Sequence, residues 1–141
     1  MAYTTIDKPT DYFNTVLGTG TGSTQSITGV GFQPDWLWIK RRNGAINHAL
    51  YDVIRGGTNA LRSNTSSAES QFATDTVITF ESDGFEIAGG TSLGFNGSGD
   101  TFVSWNWLAG GTASSNTDGS ITTQVSANTT AGFSIVTYTG N

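Results

Sequence analysis

Residues 35–54 read Asp-Trp-Leu-Trp-Ile-Lys-Arg-Arg-Asn-Gly-Ala-Ile-Asn-His-Ala-Leu-Tyr-Asp-Val-Ile. Two runs rich in apolar residues flank Asn43-Gly44. That dipeptide is the strongest short signal for a two-residue hairpin, because a type I′ turn needs positive φ at both central residues. Such a loop pairs Ile39 with His48, Leu37 with Leu50 and Trp36 with Tyr51. Period-two alternation then puts Leu37, Ile39, His48, Leu50 and Ile54 on one face. Trp36, Trp38, Ala49, Tyr51 and Val53 fall on the other. Both faces are apolar, so the hairpin is expected at the centre of the fold, covered on both sides.

The rest of the chain carries the same kind of signal. Short β-branched and aromatic runs alternate with Gly, Asn and Asp. They predict strands near 12–17, 24–28, 35–42, 45–54, 76–82, 85–89, 101–108, 120–126 and 132–138. Asp83-Gly84 predicts a second hairpin, pairing Phe80 with Ile87 inside and Glu81 with Glu86 outside. Residues 55–75 are the least regular, with a short strand expected at 59–62 and a helical turn around Ser66–Phe72. The pattern predicts an all-β fold, an antiparallel β-sandwich or jelly roll. Residues 109–119, Ala-Gly-Gly-Thr-Ala-Ser-Ser-Asn-Thr-Asp-Gly, are expected to be a flexible connection. They divide a sandwich module with its lead-in, 1–119, from the final strands, 120–141.

Those final strands resemble the first. Phe13, Val16, Thr19 and Gly20 recur as Phe133, Val136, Thr139 and Gly140 at one offset of 120. Self-similarity at a fixed offset is a mark of repeat architecture. Residues 120–141 are thus either the start of a further module or the completion of this module's own sheet.

Composition narrows the function classes. The 141 residues suffice for one domain with a real core. Charged residues are 12% of the chain, about half the usual fraction. A net charge of −5 argues against nucleic-acid binding, although Lys40, Arg41, Arg42, Arg55 and Arg62 cluster. With no cysteine there is no disulfide, thiolate metal site or thiol nucleophile. No apolar run nears the ~20 residues that span a bilayer, so no membrane partner is expected. Met-Ala-Tyr-Thr-Thr-Ile-Asp-Lys-Pro lacks the apolar core of a secretory signal.

Four tryptophans are the candidate binding residues. Trp36 and Trp38 share one strand face, and so do Trp105 and Trp107. Such rings either stack sugars or fill a core. Asp35 and Asp52 fall opposite each other in the Asn43-Gly44 register, where like charges repel, so they are a weak candidate metal pair, with a shared water, an arginine such as Arg55, or pairing that frays before it reaches them as the alternatives. His48, the single histidine, reads as structural. It has no Gly-x-Ser-x-Gly nucleophile near it, so no catalytic residues are assigned. No cofactor is expected.

Several stretches carry a resemblance when taken together. They are residues 21–36, Thr-Gly-Ser-Thr-Gln-Ser-Ile-Thr-Gly-Val-Gly-Phe-Gln-Pro-Asp-Trp, with Trp38-Ile39-Lys40. Next come His48, Leu50-Tyr51-Asp52, Arg55-Gly56, Ser82-Asp83-Gly84-Phe85 and Thr101-Phe102-Val103-Ser104-Trp105. Ala109-Gly110-Gly111-Thr112 and the Gly132–Val136 and Tyr138–Asn141 runs complete the set. Together they resemble a repeated module of virion-associated, tail-fibre- or appendage-type proteins of tailed phages, notably marine phages. The resemblance implies a concanavalin-like sandwich and a virion location. It also implies association with other copies and other virion proteins, with no catalytic residues to carry over. It further implies a short member, or a piece of a longer multi-module protein. The alternative function is a carbohydrate-binding module for host-surface glycans.

Overall fold

The computed structural model describes residues 6–71, 77–89 and 94–140. A 3-10 turn at Pro9–Asp11 leads into twelve strands. They are β1 (Phe13–Thr19), β2 (Gln25–Thr28), β3 (Trp36–Arg41), β4 (Ala49–Asp52), β5 (Asn59–Ala60) and β6 (Ser70–Gln71). Then follow β7 (Ile78–Glu81), β8 (Gly84–Ile87), β9 (Thr101–Trp107), β10 (Ser114–Asn116), β11 (Thr123–Asn128) and β12 (Phe133–Tyr138). Among the described residues every pairing is antiparallel. The protein is all-β, with antiparallel sheets packed into a sandwich.

A four-stranded sheet, ordered β1-β9-β3-β4, faces a three-stranded sheet, β2-β8-β7. The first contributes Leu37, Ile39, Ala49, Tyr51 and Phe102 to the core, and the second Ile27, Ile78, Phe85 and Ile87. Strand alternation explains the choice. Leu37 pairs with Tyr51 and Ile39 with Ala49, so all four point to one side. A third sheet, β10-β11-β12, comes from the C-terminal segment. The strand at 133–138 pairs with β11 of its own chain, so it completes a sheet within the molecule.

The Asn43-Gly44 hairpin is corrected by one residue. The observed pairs are Trp36 with Asp52, Leu37 with Tyr51, Trp38 with Leu50 and Ile39 with Ala49. Neither Asn43 nor Gly44 has positive φ, so no type I′ turn forms. Residues 42–48 make a wider loop. The slip moves Tyr51 and Ala49 onto the face of Leu37 and Ile39, where the facing sheet buries them. Asn43 clamps the loop instead. Its Oδ1 accepts from Thr101 N–H at 3.0 Å and Arg41 Nε at 3.0 Å, and its Nδ2 donates to Gly99 O at 3.0 Å.

The second hairpin shifts by two and keeps its faces. Ile78 pairs with Ile87, Phe80 with Phe85 and Glu81 with Gly84, so Glu81 and Glu86 are not opposite. Gly84, at φ 141°, is required because a Cβ would lie 1.9 Å from Ile27 O. Asp83 crosses to the neighbouring loop and accepts from Gly29 N–H and Gly31 N–H at 3.1 and 2.6 Å.

Two other expectations change. Ser114–Asn116 inside the 109–119 connection is a strand, held by pairing with β11. Ser70–Gln71 is a strand paired with β5, where a helical turn was expected, and Phe72 lies outside the described residues.

Candidate functional site

The outer face of the four-stranded sheet is the candidate site. On β3, residues 36 and 38 point away from the core that holds Leu37 and Ile39. On β9, residues 105 and 107 point away from buried Phe102, Ser104 and Asn106. The β3–β9 register sets Trp36 beside Trp107 and Trp38 beside Trp105. The two tryptophan pairs of the sequence therefore form one four-ring cluster. All four are half-buried. On β1, Phe13, Thr15 and Leu17 pair with Trp107, Trp105 and Val103 and extend the same face.

The rings pack edge to face or tilted. Trp36 and Trp107 have centroids 4.6 Å apart at 66°, and Trp38 and Trp105 are 5.5 Å apart at 57°. Such geometry satisfies the ring quadrupoles and makes a ridged apolar surface, not a flat sugar platform. Phe133, from the start of β12, covers one end. It stacks on Trp107 at 6.0 Å and 22°, and lies 6.2 Å from Trp36. Phe13 meets Trp107 at 4.7 Å. The other end, around Trp38, Trp105 and Leu17, is outside the ring contacts of Phe133. Thus half of the cluster is roofed by the third sheet and half is half-open.

His48 belongs to the open half. Trp38 Nε1 donates to His48 Nδ1 at 2.8 Å. The imidazole is held below its ordinary pKa of 6.5, first by burial and then by the Lys40 ammonium. The ring is therefore neutral near pH 7, with its proton on Nε2. This arrangement fixes the indole and fits the structural role expected of His48.

Asp35 and Asp52 are not a pair. Val53 N–H bonds Asp35 O, so residue 53, not 52, lies across from Asp35. The one-residue slip separates the two carboxylates. Asp35, 2% exposed, accepts from Ala109 N–H at 2.8 Å and Gly111 N–H at 3.2 Å. Asp52 accepts from Ile54 N–H, Arg55 N–H and Arg55 Nε, the last at 2.6 Å. Both are structural acceptors, and the metal reading of the pair is withdrawn on that geometry. Among the described residues no group of three His, Cys, Asp or Glu side chains could hold a metal ion.

Two clefts border the roofed end. One, of about 420 Å³, lies between Pro9, Tyr12, Phe13 and Trp107 on one side and Ala131–Phe133 on the other. The second, of about 370 Å³, runs along Phe133–Thr137 and is closed by Trp36, Asp52, Arg55 and Leu61. Sequence reading missed both, because each joins segments far apart in the chain. The one signal within it was the recurrence of Phe13 as Phe133, and both rings meet Trp107.

Comparison with curated proteins and with solved structures found no match. A family model does match, over residues 8–141, nearly the whole chain including all twelve strands. The chain belongs to that family, described as a domain of unknown function, DUF7483.

Proposed function

We propose that this protein is a non-enzymatic structural component of a phage particle, a fibre, appendage or head-decorating module that works by protein–protein association. The observation that carries the reading is where its exposed apolar surface lies. Among the described residues the large exposed hydrophobics are Phe13, Leu17, Leu61, Val136 and Tyr138. Four of the five sit on β1 and β12, the two strands that share the repeat motif. Exposed apolar side chains on edge strands mark association surfaces. The virion setting rests on the resemblance of the sequence motifs, and a concanavalin-type jelly-roll wiring belongs to the same reading. Light scattering of the full chain across concentration tests it. An assembly is expected, and a monomer at every concentration overturns association.

A second reading has its own observation. Trp38 and Trp105 lie on the half-open end with His48 beside them. A host-surface glycan is the fitting ligand, with the apolar side of a sugar against the ridge of Trp38 and Trp105 and a hydroxyl on His48 Nε2–H. A glycan array followed by tryptophan fluorescence tests this. Binding that Trp105→Ala abolishes establishes it, and an array without hits removes it.

A further inference from the structure

The association reading leaves open which surfaces meet, and the edge strands answer that. Among the described residues β1 ends one side of its sheet and β12 ends one side of the third sheet. Bonds from Leu108 N–H to Tyr12 O and from Gly20 N–H to Asp100 O bracket the β1–β9 ladder. By antiparallel alternation the even residues of β1 bond to β9, while Phe13 and Leu17 turn their amides and carbonyls to the open edge. Soluble proteins guard such edges with charges, prolines or bulges. Neither Phe13–Thr19 nor Phe133–Tyr138 contains a charged residue or a proline. Both instead carry exposed apolar side chains: Leu17 at 62%, Val136 at 48% and Tyr138 at 67%.

The groove beside β12 is lined to meet the edge of such a strand. One wall is five consecutive residues of β12, 133–137, which presents its length to whatever lies alongside. Trp36 and exposed Leu61 offer apolar contact. The groove's cation is already held between two carboxylates: Arg55 bonds Asp52 at 2.6 Å and Glu69 at 2.8 Å. A charged peptide would disturb that network, whereas an uncharged strand of six or seven residues would not. β1, seven residues long, is such a strand, with Phe13 and Leu17 exposed on every copy.

We propose that the open edge of β1 of one copy seats in the groove along β12 of a second copy, joining copies head to tail by strand addition. This rests on the association reading above and names its interface. The two surfaces differ, so the contact is heterologous. It propagates into rings or filaments instead of stopping at a symmetric dimer.

The test uses Leu17→Lys and Val136→Lys, each at an exposed site, with near-UV circular dichroism confirming the fold. Sedimentation velocity reads the mass. Wild type is expected to grow with concentration. Each single variant is expected to stay monomeric, since one of its two edges is blocked. Mixed in equal amounts, the variants are expected to form a dimer of twice the monomer mass that grows no further. The intact β12 of Leu17→Lys meets the intact β1 of Val136→Lys, and both remaining edges are blocked. Variants that assemble like wild type overturn the interface and leave association standing. A mixture that stays monomeric while wild type assembles also overturns it. A wild type that never assembles overturns both.

Discussion

Asp35 shows how a single residue is set by its backbone surroundings. Its carboxylate is almost fully buried and is held by two amides of the segment leaving β9. Removing it strands those donors, and unsatisfied buried groups cost about 1–3 kcal/mol each. Asp35→Ala is therefore expected to lower stability by roughly 2–4 kcal/mol in urea unfolding. A chelator is expected to leave the wild-type melt unchanged, and a large drop on chelation would return the carboxylates to metal binding. His48 gives a pH signature. Its folded pKa is depressed, so the unfolded state binds the proton more readily. Its contribution to stability is complete above the unfolded value of about 6.5 and is lost as pH falls from there toward the folded pKa. The melting temperature of wild type is expected to decline on acidification through that window, and the decline should shrink in His48→Gln. An NMR titration of the ring with a midpoint above 6.5 would contradict the geometry.

At the scale of elements, close approach decides which glycines are needed. A Cβ on Gly18 would lie 2.2 Å from the Phe102 ring, which covers that point of β1. A ring can tilt, so Gly18→Ala is expected to cost about 1–3 kcal/mol, the usual range for overpacking. A Cβ on Gly57 would meet the backbone oxygen of Ile78 at 1.7 Å. A strand carbonyl cannot move alone, so Gly57→Ala is expected to be the more damaging of the two by thermal melt. Equal melting temperatures would refute this ranking. The same contrast between local and distant causes explains what was legible beforehand. Alternation inside β3, β9 and β12 is local, and those strands lie where the sequence puts them. The register of β3 on β4 is not local. Asn43-Gly44 favours one pairing, but burying Tyr51 against the facing sheet favours the next, and burial prevails. The spacing of Trp36 with Trp38 and of Trp105 with Trp107 was legible. Their union into one cluster was not, because it depends on β3 lying beside β9. β10 was missed because Ser-Ser-Asn has no apolar pattern, and its partner β11 alone makes it a strand.

For the whole molecule, the question is how far the third sheet is part of the sandwich. The central core cluster runs from Ile27 to Phe102 and takes no residue from β10, β11 or β12. Ile135 and Ser126 are buried, yet they belong to the layer over the tryptophans. The third sheet joins the sandwich through the link and through the roof: Asp35 holds Ala109 and Gly111, Gly110 N–H bonds Ser126 Oγ at 2.9 Å, and Phe133 packs on Trp36 and Trp107. A chain cut after Thr112 keeps the Asp35 clamp and the whole central core. It is expected to fold cooperatively, with a lower melting temperature than the full chain. Without Phe133 the indoles of Trp36 and Trp107 meet water, so tryptophan emission is expected to shift to longer wavelength. The exposed face should also make the shortened chain less soluble, and an added Phe133–Tyr138 peptide should not restore it, because β11 is gone. An unfolded product would mean that the C-terminal sheet is integral to the sandwich. A folded product with unshifted emission would mean that the roof over the tryptophans lies elsewhere.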